Sequence, residues 1–190
     1  MPHDLTFRFA GPEDTARLAE FFLSIPDETK RVYGPHFFDE PTAQARCNVQ
    51  VTDDDLSIIA VNESGEVIGY CVYLRGFTES DLKRNGYHVQ KYSADEVITV
   101  APCVKTEVRA RGLGRMLLEF AGYESRREGR KALVLFGGVR SDNIKALRTY
   151  QSVGFRILGF WPHPTCPANY DMAWDVARPG AKGATAAKEK

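Results

Sequence analysis

Paired cysteines are missing from this chain. Its four, Cys47, Cys71, Cys103 and Cys166, stand far apart and form no C-x-x-C pair. A disulfide framework is therefore not expected, no metal is expected, and reduced thiols in a cytoplasmic protein are the plain reading. An excess of either charge is missing too: Lys+Arg and Asp+Glu are 25 each. No global field points to stable binding of nucleic acid or to an anionic membrane surface. No apolar run approaches the length of a membrane-spanning helix. The opening "MPHDLTFRFAGPED" lacks the basic-then-apolar order of a signal peptide. No G-x-x-x-x-G-K-[ST] occurs, and the one G-x-G fails to become G-x-G-x-x-G because position 117 is Leu117. Internal repeats and domain linkers are also absent.

What is present suits one globular domain, expected over residues 1–177, with 43% hydrophobic and 26% charged residues overall. Residues 178–190 carry little to bury and are expected to form a flexible tail. "LTFRFA" alternates like a strand, and "GPEDTARLAEFFLSI" carries helical spacing of Leu18, Phe21 and Phe22. Residues 27–50 suggest one or two short helices among loops. "LSIIAVNESGEVIGYCVYL" predicts a hairpin closed by an N-E-S-G turn. Residues 75–95 are expected to be irregular loop. "EVITVAPCVK", "RKALVLFGGV", "FRILGFW" and "YDMAWDV" read as further strands. Several antiparallel strands with a few helices predict an α+β layered domain.

"RARGLGRMLLEF", Arg109–Phe120, places two arginines and two glycines in six positions before an apolar-periodic helix. The turn leads from a strand into a helix N-terminus, where unpaired N–H groups and the positive end of the dipole gather. Gly112 and Gly114 let the backbone approach a bulky anion, and Arg109, Arg111 and Arg115 add charge, which suits a pyrophosphate. A plain glycine turn accounts for the same letters. Downstream, "SDNIKALRTYQSVGF" predicts a second helix, capped by Ser141 or Asp142 and ended by Gly154. Asn143, Ala146 and Tyr150 share one stripe, a wall for a long thin ligand, while Ile144 and Leu147 are expected to face the core. An ordinary core-edge tyrosine accounts equally for Tyr150.

Together the two segments resemble the GCN5-related N-acetyltransferase (GNAT) superfamily. Its cofactor signature, R/Q-x-x-G-x-G/A, falls on Arg109, Gly112 and Gly114, after a strand ending at Val104. Its second pattern, N-x-x-A-x-x-x-Y-x-x-x-G-F, falls on Asn143, Ala146, Tyr150, Gly154 and Phe155. The resemblance spans Leu5 through Val176. It implies a three-layer α/β/α domain built on a mixed, mostly antiparallel sheet of about six or seven strands, two of which part to admit acetyl-CoA as co-substrate. It implies that backbone groups of Cys103 and Val104 meet the pantetheine, that Arg109, Ala110, Arg111, Gly112, Leu113, Gly114 and Arg115 hold the pyrophosphate, and that Asn143, Ala146 and Tyr150 line the groove. Pro102 agrees independently, since a proline cannot donate to a ladder and fits where strands separate.

The implied chemistry is direct attack of a primary amine, from a small molecule or a protein, on the thioester, with freed strand N–H groups stabilising the oxyanion and Tyr150 as general acid toward the thiolate. In the branch that acetylates ribosomal-protein N-termini, a Glu precedes the Val ending the fifth strand; here Gly138 precedes Val139. Glu96 resembles the position from which other branches supply a base, with Asp95 and His88 as fallbacks. The resemblance places acceptor selection in residues 25–50, 75–95 and 161–169. Acids there suit a cationic amine or simply form a solvated face. A catalytically inactive acyl-CoA-binding sensor or regulatory module of the same fold is the alternative; the oligomeric state is not readable, though homodimers are common in the superfamily and exposed-looking C-terminal strands could pair across a two-fold axis.

Overall fold

The computed structural model of the 190-residue chain describes residues 5–50, 53–84, 91–108, 112–163 and 166–177. Seven strands form one sheet: β1 (Thr6–Phe9), β2 (Asp55–Val61), β3 (Val67–Arg75), β4 (Val97–Val104), β5 (Ala132–Arg140), β6 (Arg156–His163) and β7 (Cys166–Asp175), in spatial order β1-β2-β3-β4-β5-β7-β6. All neighbours are antiparallel except β4 and β5, which are parallel. Six helices accompany them among the described residues: α1 (Thr15–Ser24), α2 (Asp27–Lys30), α3 (Glu40–Cys47), α4 (Glu79–Arg84), α5 (Leu113–Arg127) and α6 (Ile144–Val153).

The strands read as near-continuous apolar runs because both faces of the sheet are covered. On one face Leu113, Leu117, Leu118 and Ala121 of α5, with Leu147, Tyr150 and Val153 of α6, close over Ile58, Ile98, Val100, Leu133 and Leu135. On the other, Leu18, Phe21 and Phe22 of α1 and Ala43 and Cys47 of α3 cover Ile59, Tyr70, Val72 and Cys103. This is the layered architecture expected. The predicted hairpin is present: Asn62 accepts from the Glu66 N–H (2.9 Å) and the Ser64 hydroxyl (2.8 Å), with Gly65 at φ +81°.

Residues 75–95, expected as irregular loop, contain helix α4. Thr78 and Asp81 cap it reciprocally, each side chain accepting from the other's N–H at 3.1 Å, with Asp81 fully buried. The T-x-x-D spacing was legible; the absence of an apolar stripe obscured it. At the other end of the fold, Asp14 is buried between β1 and α1. Its carboxylate accepts from Arg8, Arg17 (2.8 Å) and the Gly11 N–H (3.0 Å).

Gly122 lies inside α5, where alanine is normally the better helix residue by about 1 kcal/mol. A Cβ there would sit 2.7 Å from the Trp174 indole. Overpacking at about 1–3 kcal/mol outweighs the propensity gain. Gly122→Ala therefore lowers the melting temperature, and a raised one would show that Trp174 moves aside.

Candidate functional site

The site begins where β4 and β5 separate. Their parallel register runs Val97↔Ala132, Ile98↔Leu133 and Thr99↔Val134, then stops. β4 continues to Val104 against β3 alone. Lys105 N–H donates to Ile68 C=O and Gly76 N–H to Val97 C=O, both at 3.0 Å, which fixes the alternation. Odd-numbered residues of β4 turn their backbone groups to β3, and even-numbered ones toward β5. Past Thr99, Pro102 and Val104 thus face the side on which no strand pairs. Pro102 has no N–H to leave unsatisfied there, so the proline stands where a ladder would reject it. Of the two residues expected to offer backbone groups, Val104 faces the opening. Cys103 is turned to Tyr70 of β3 and its side chain is buried against the α1 face.

Beyond β4 a 3-10 turn, Thr106–Val108, leads toward α5. Arg109, Ala110 and Arg111 lie outside the described residues. Gly112 caps α5 at φ +83°, a conformation L side chains rarely adopt, and a Cβ there would meet open space. The first helical bond is Met116 N–H to Gly112 C=O (3.0 Å). The N–H groups of Leu113, Gly114 and Arg115 precede it and lack helical acceptors, a seat for an anion. Leu113 contributes only backbone, its side chain being buried in the core. A Cβ on Gly114 would stand 3.6 Å from the Thr149 methyl, so α5 and α6 pass closely at this point. Arg115 pairs with Glu119 one turn on (2.9 Å).

On α6 the capping residue is Asn143, whose side chain accepts from the Ala146 N–H (3.1 Å), rather than Ser141 or Asp142. Asn143 is thereby committed to the helix start. Ile144, expected in the core, is 51% exposed. The buried stripe is Leu147, Tyr150 and Val153, with Ala146 packed at its border. Ile144 stands in the first turn, at the edge of this stripe. Gly154 ends the helix at φ +117°. Tyr150 is 9% exposed and meets Phe155 edge-on at 5.5 Å. Burial, with Cys71 and Cys103 nearby, pushes its phenol well above the ordinary tyrosine range.

Glu96 stands elsewhere. It closes the 3-10 turn before β4, accepts from the Ser93 N–H (3.1 Å) and is ion-paired with Lys131 at the start of β5. The Lys131 hydrogen bond holds its carboxyl below the ordinary range. At roughly 3.3 Å per residue, its Cα lies about 20 Å before Pro102. The structure therefore puts Glu96 at the paired end of the strands, away from the opening. The Asp95 carbonyl accepts from Arg130 (2.7 Å) at the same end, and His88 lies outside the described residues.

Within residues 25–50, a stretch expected to select the acceptor, two side chains stand nearer the opening. Tyr33 donates to the Ala101 C=O (2.9 Å), and His36 contacts the Tyr70 hydroxyl (2.9 Å) and the Phe37 C=O (2.7 Å). A neutral His36 donates to the carbonyl and accepts from Tyr70; an imidazolium cannot accept. Burial first, and Arg46 with it, holds the His36 pKa below the ordinary value against the opposing Phe37 carbonyl, Asp55 and Asp39. The unfolded chain then binds the proton more readily. Stability is complete above the unfolded pKa of about 6.5 and falls as pH drops below it toward the lower folded value. Denaturant unfolding at about pH 7.5 and about pH 5 should show a smaller loss for His36→Gln than for the native chain. Equal losses would remove His36 as the cause.

The sequence model of the Acetyltransferase (GNAT) family matches residues 19–155. Among solved structures, the chain is similar to a GCN5-related N-acetyltransferase from Kribbella flavida: TM-score 0.67, 22% identity, 92% of this chain and 99% of that one covered. It is similar to yncA from Salmonella typhimurium, solved with its cofactor acetyl-CoA: TM-score 0.69, 20% identity, coverage 95% and 98%. A third likeness is AAC(6')-Ib in complex with ribostamycin and coenzyme A: TM-score 0.59, 21% identity, coverage 90% and 93%. No curated protein matches the sequence. The solved structures share the fold; the family match covers β2–β5, both helices that border the opening, and the described part of the turn that leads from β4 into α5. This chain belongs to the acetyltransferase (GNAT) family.

Proposed function

We propose that the protein is an N-acetyltransferase that moves an acetyl group from acetyl-CoA to a primary amine in the opening between β4 and β5. One observation carries this: the strands part after Thr99↔Val134, leaving Val104 backbone facing the gap, close in sequence to the N–H groups of the first α5 turn, which have no intrahelical acceptors. Acetyl-CoA supplies the acyl group as a thioester: the neutral amine attacks its carbonyl carbon, the C–S bond breaks, and the proton shed by the nitrogen ends on the CoA sulfur, which leaves as the thiol. Val104 and the α5 turn bind and orient it along the groove. The Tyr150 hydroxyl finds no partner among the described residues and, kept protonated by burial, donates a hydrogen bond to the leaving sulfur. The acceptor enters on the Tyr33–His36 side, and a cytoplasmic setting matches the reduced thiols.

Calorimetry with acetyl-CoA and thiol release over a panel of primary amines test this. Absence of binding heat sinks the proposal. Binding without transfer to any amine selects the second reading, an acyl-CoA-binding module of the same fold. That reading is favoured by Pro102, which faces the opening with a carbonyl but no N–H, and by Glu96 being tied to Lys131.

A further inference from the structure

β5 leaves both of its neighbours within a few residues. Its register with β7 runs to Leu135↔Met172 and resumes at Val139↔Tyr170. Phe136, Gly137 and Gly138 therefore stand opposite Asp171 alone, a bulge of two extra residues. This begins two positions past Val134, the last residue paired with β4. Gly137 adopts φ +63°, which favours glycine, and a Cβ on Gly138 would meet open space. The ladder no longer supplies partners for Gly137, and side chains replace them. Its N–H donates to the Asp171 carboxylate, and its C=O accepts from the Asn169 amide at 2.8 Å, with Asn169 buried.

We infer that Asp171 and Asn169 are positioning residues that hold β5 in its bulged path and so keep the acyl-CoA opening parted. The inference rests on the proposed function for what the opening holds, though not for the clamp itself. The competing state is a zipped seam. Pro102 C=O and Val104 N–H face β5, and in a seam continued in register Gly138 would offer them its N–H and C=O. Side-chain partners on β7 remove that option by fixing Gly137 in the bulge, which carries Gly138 out of register.

The two clamp residues predict opposite outcomes for isosteric changes. Asp171→Asn keeps an oxygen to accept from Gly137, whereas Asn169→Asp sets a carboxylate against the Gly137 carbonyl. Hydrogen exchange of the Gly137 amide and calorimetric affinity for acetyl-CoA are the readouts. In Asp171→Ala, exchange should quicken and affinity fall, each by about tenfold, and Asp171→Asn should restore both. Asn169→Asp should weaken acetyl-CoA binding at least as much as Asp171→Ala. Native exchange or native affinity in Asp171→Ala overturns the inference, as does an Asp171→Asn protein no better than it. Should Asp171→Ala fail to fold, the contrast between Asp171→Asn and Asn169→Asp decides in the same way. A native protein that takes up no acetyl-CoA defeats the proposed function, and the exchange series then decides the clamp by itself.

Discussion

Tyr150→Phe should lower acetyl transfer by about 100-fold while leaving acetyl-CoA affinity within about twofold, the lower end of what a positioned proton donor contributes. The substitution removes one oxygen and keeps the ring. That ring is buried on α6 and packs edge-on against Phe155, so the groove wall and the fold remain. The lost group is the hydroxyl, which has no hydrogen-bond partner among the described residues and so no structural task of its own. Burial holds the phenol protonated, so it enters the reaction as a donor at every pH near neutrality. It is a reluctant acid for the same reason, which fits hydrogen bonding to the sulfur better than full proton delivery. Steady-state thiol release beside calorimetry separates the two quantities. Unchanged turnover would remove Tyr150 from the chemistry.

Asp14→Ala should cost about 3 kcal/mol of stability, lowering the melting temperature by roughly 10 °C. Asp14 is fully buried, and its carboxylate is shared by Arg8, Arg17 and the Gly11 N–H. Truncation leaves two guanidinium groups without their partner, but their side chains are 35% and 37% exposed and regain water. The cost therefore stays at the low end for a broken buried pair. Burial alone would raise the Asp14 pKa; hydrogen bonds from Arg8 outweigh it and hold the group below the ordinary range. This contribution is present above the unfolded carboxylate pKa of about 3.9 and is lost as pH falls below it. A variant as stable as the native chain at neutral pH would show that the ion cluster offsets only its own desolvation.

The strands were legible because burial on both faces leaves long apolar runs, and the N-E-S-G turn and Gly154 act through φ values that other residues resist. The opening was legible through a single residue, Pro102, whose missing donor tolerates a strand without a neighbour. Cys103 and Val104 were not separable by sequence. Which of two adjacent residues faces a gap is set by ladder parity, and that depends on the β3 register. Ile144 failed because it lies about 120° round α6 from Tyr150, in the first turn and at the edge of the stripe that packs. The distance of Glu96 from the opening was not legible, because position along a strand says nothing of where the next strand leaves it. His36, Asn169 and Asp171 carried no local pattern; their partners are brought together only by the fold.

Only three register pairs join β4 to β5, while each flanking strand block is antiparallel and long. In mechanical language the sheet is two stiff plates sharing a narrow weld at its middle, one comprising β1–β4 and the other β5–β7. A guest lodged across the unwelded length would act as a splint, tying plates that the backbone alone joins weakly. The heat resistance of such a protein should then rise with guest concentration in the logarithmic manner of any ligand confined to the folded form.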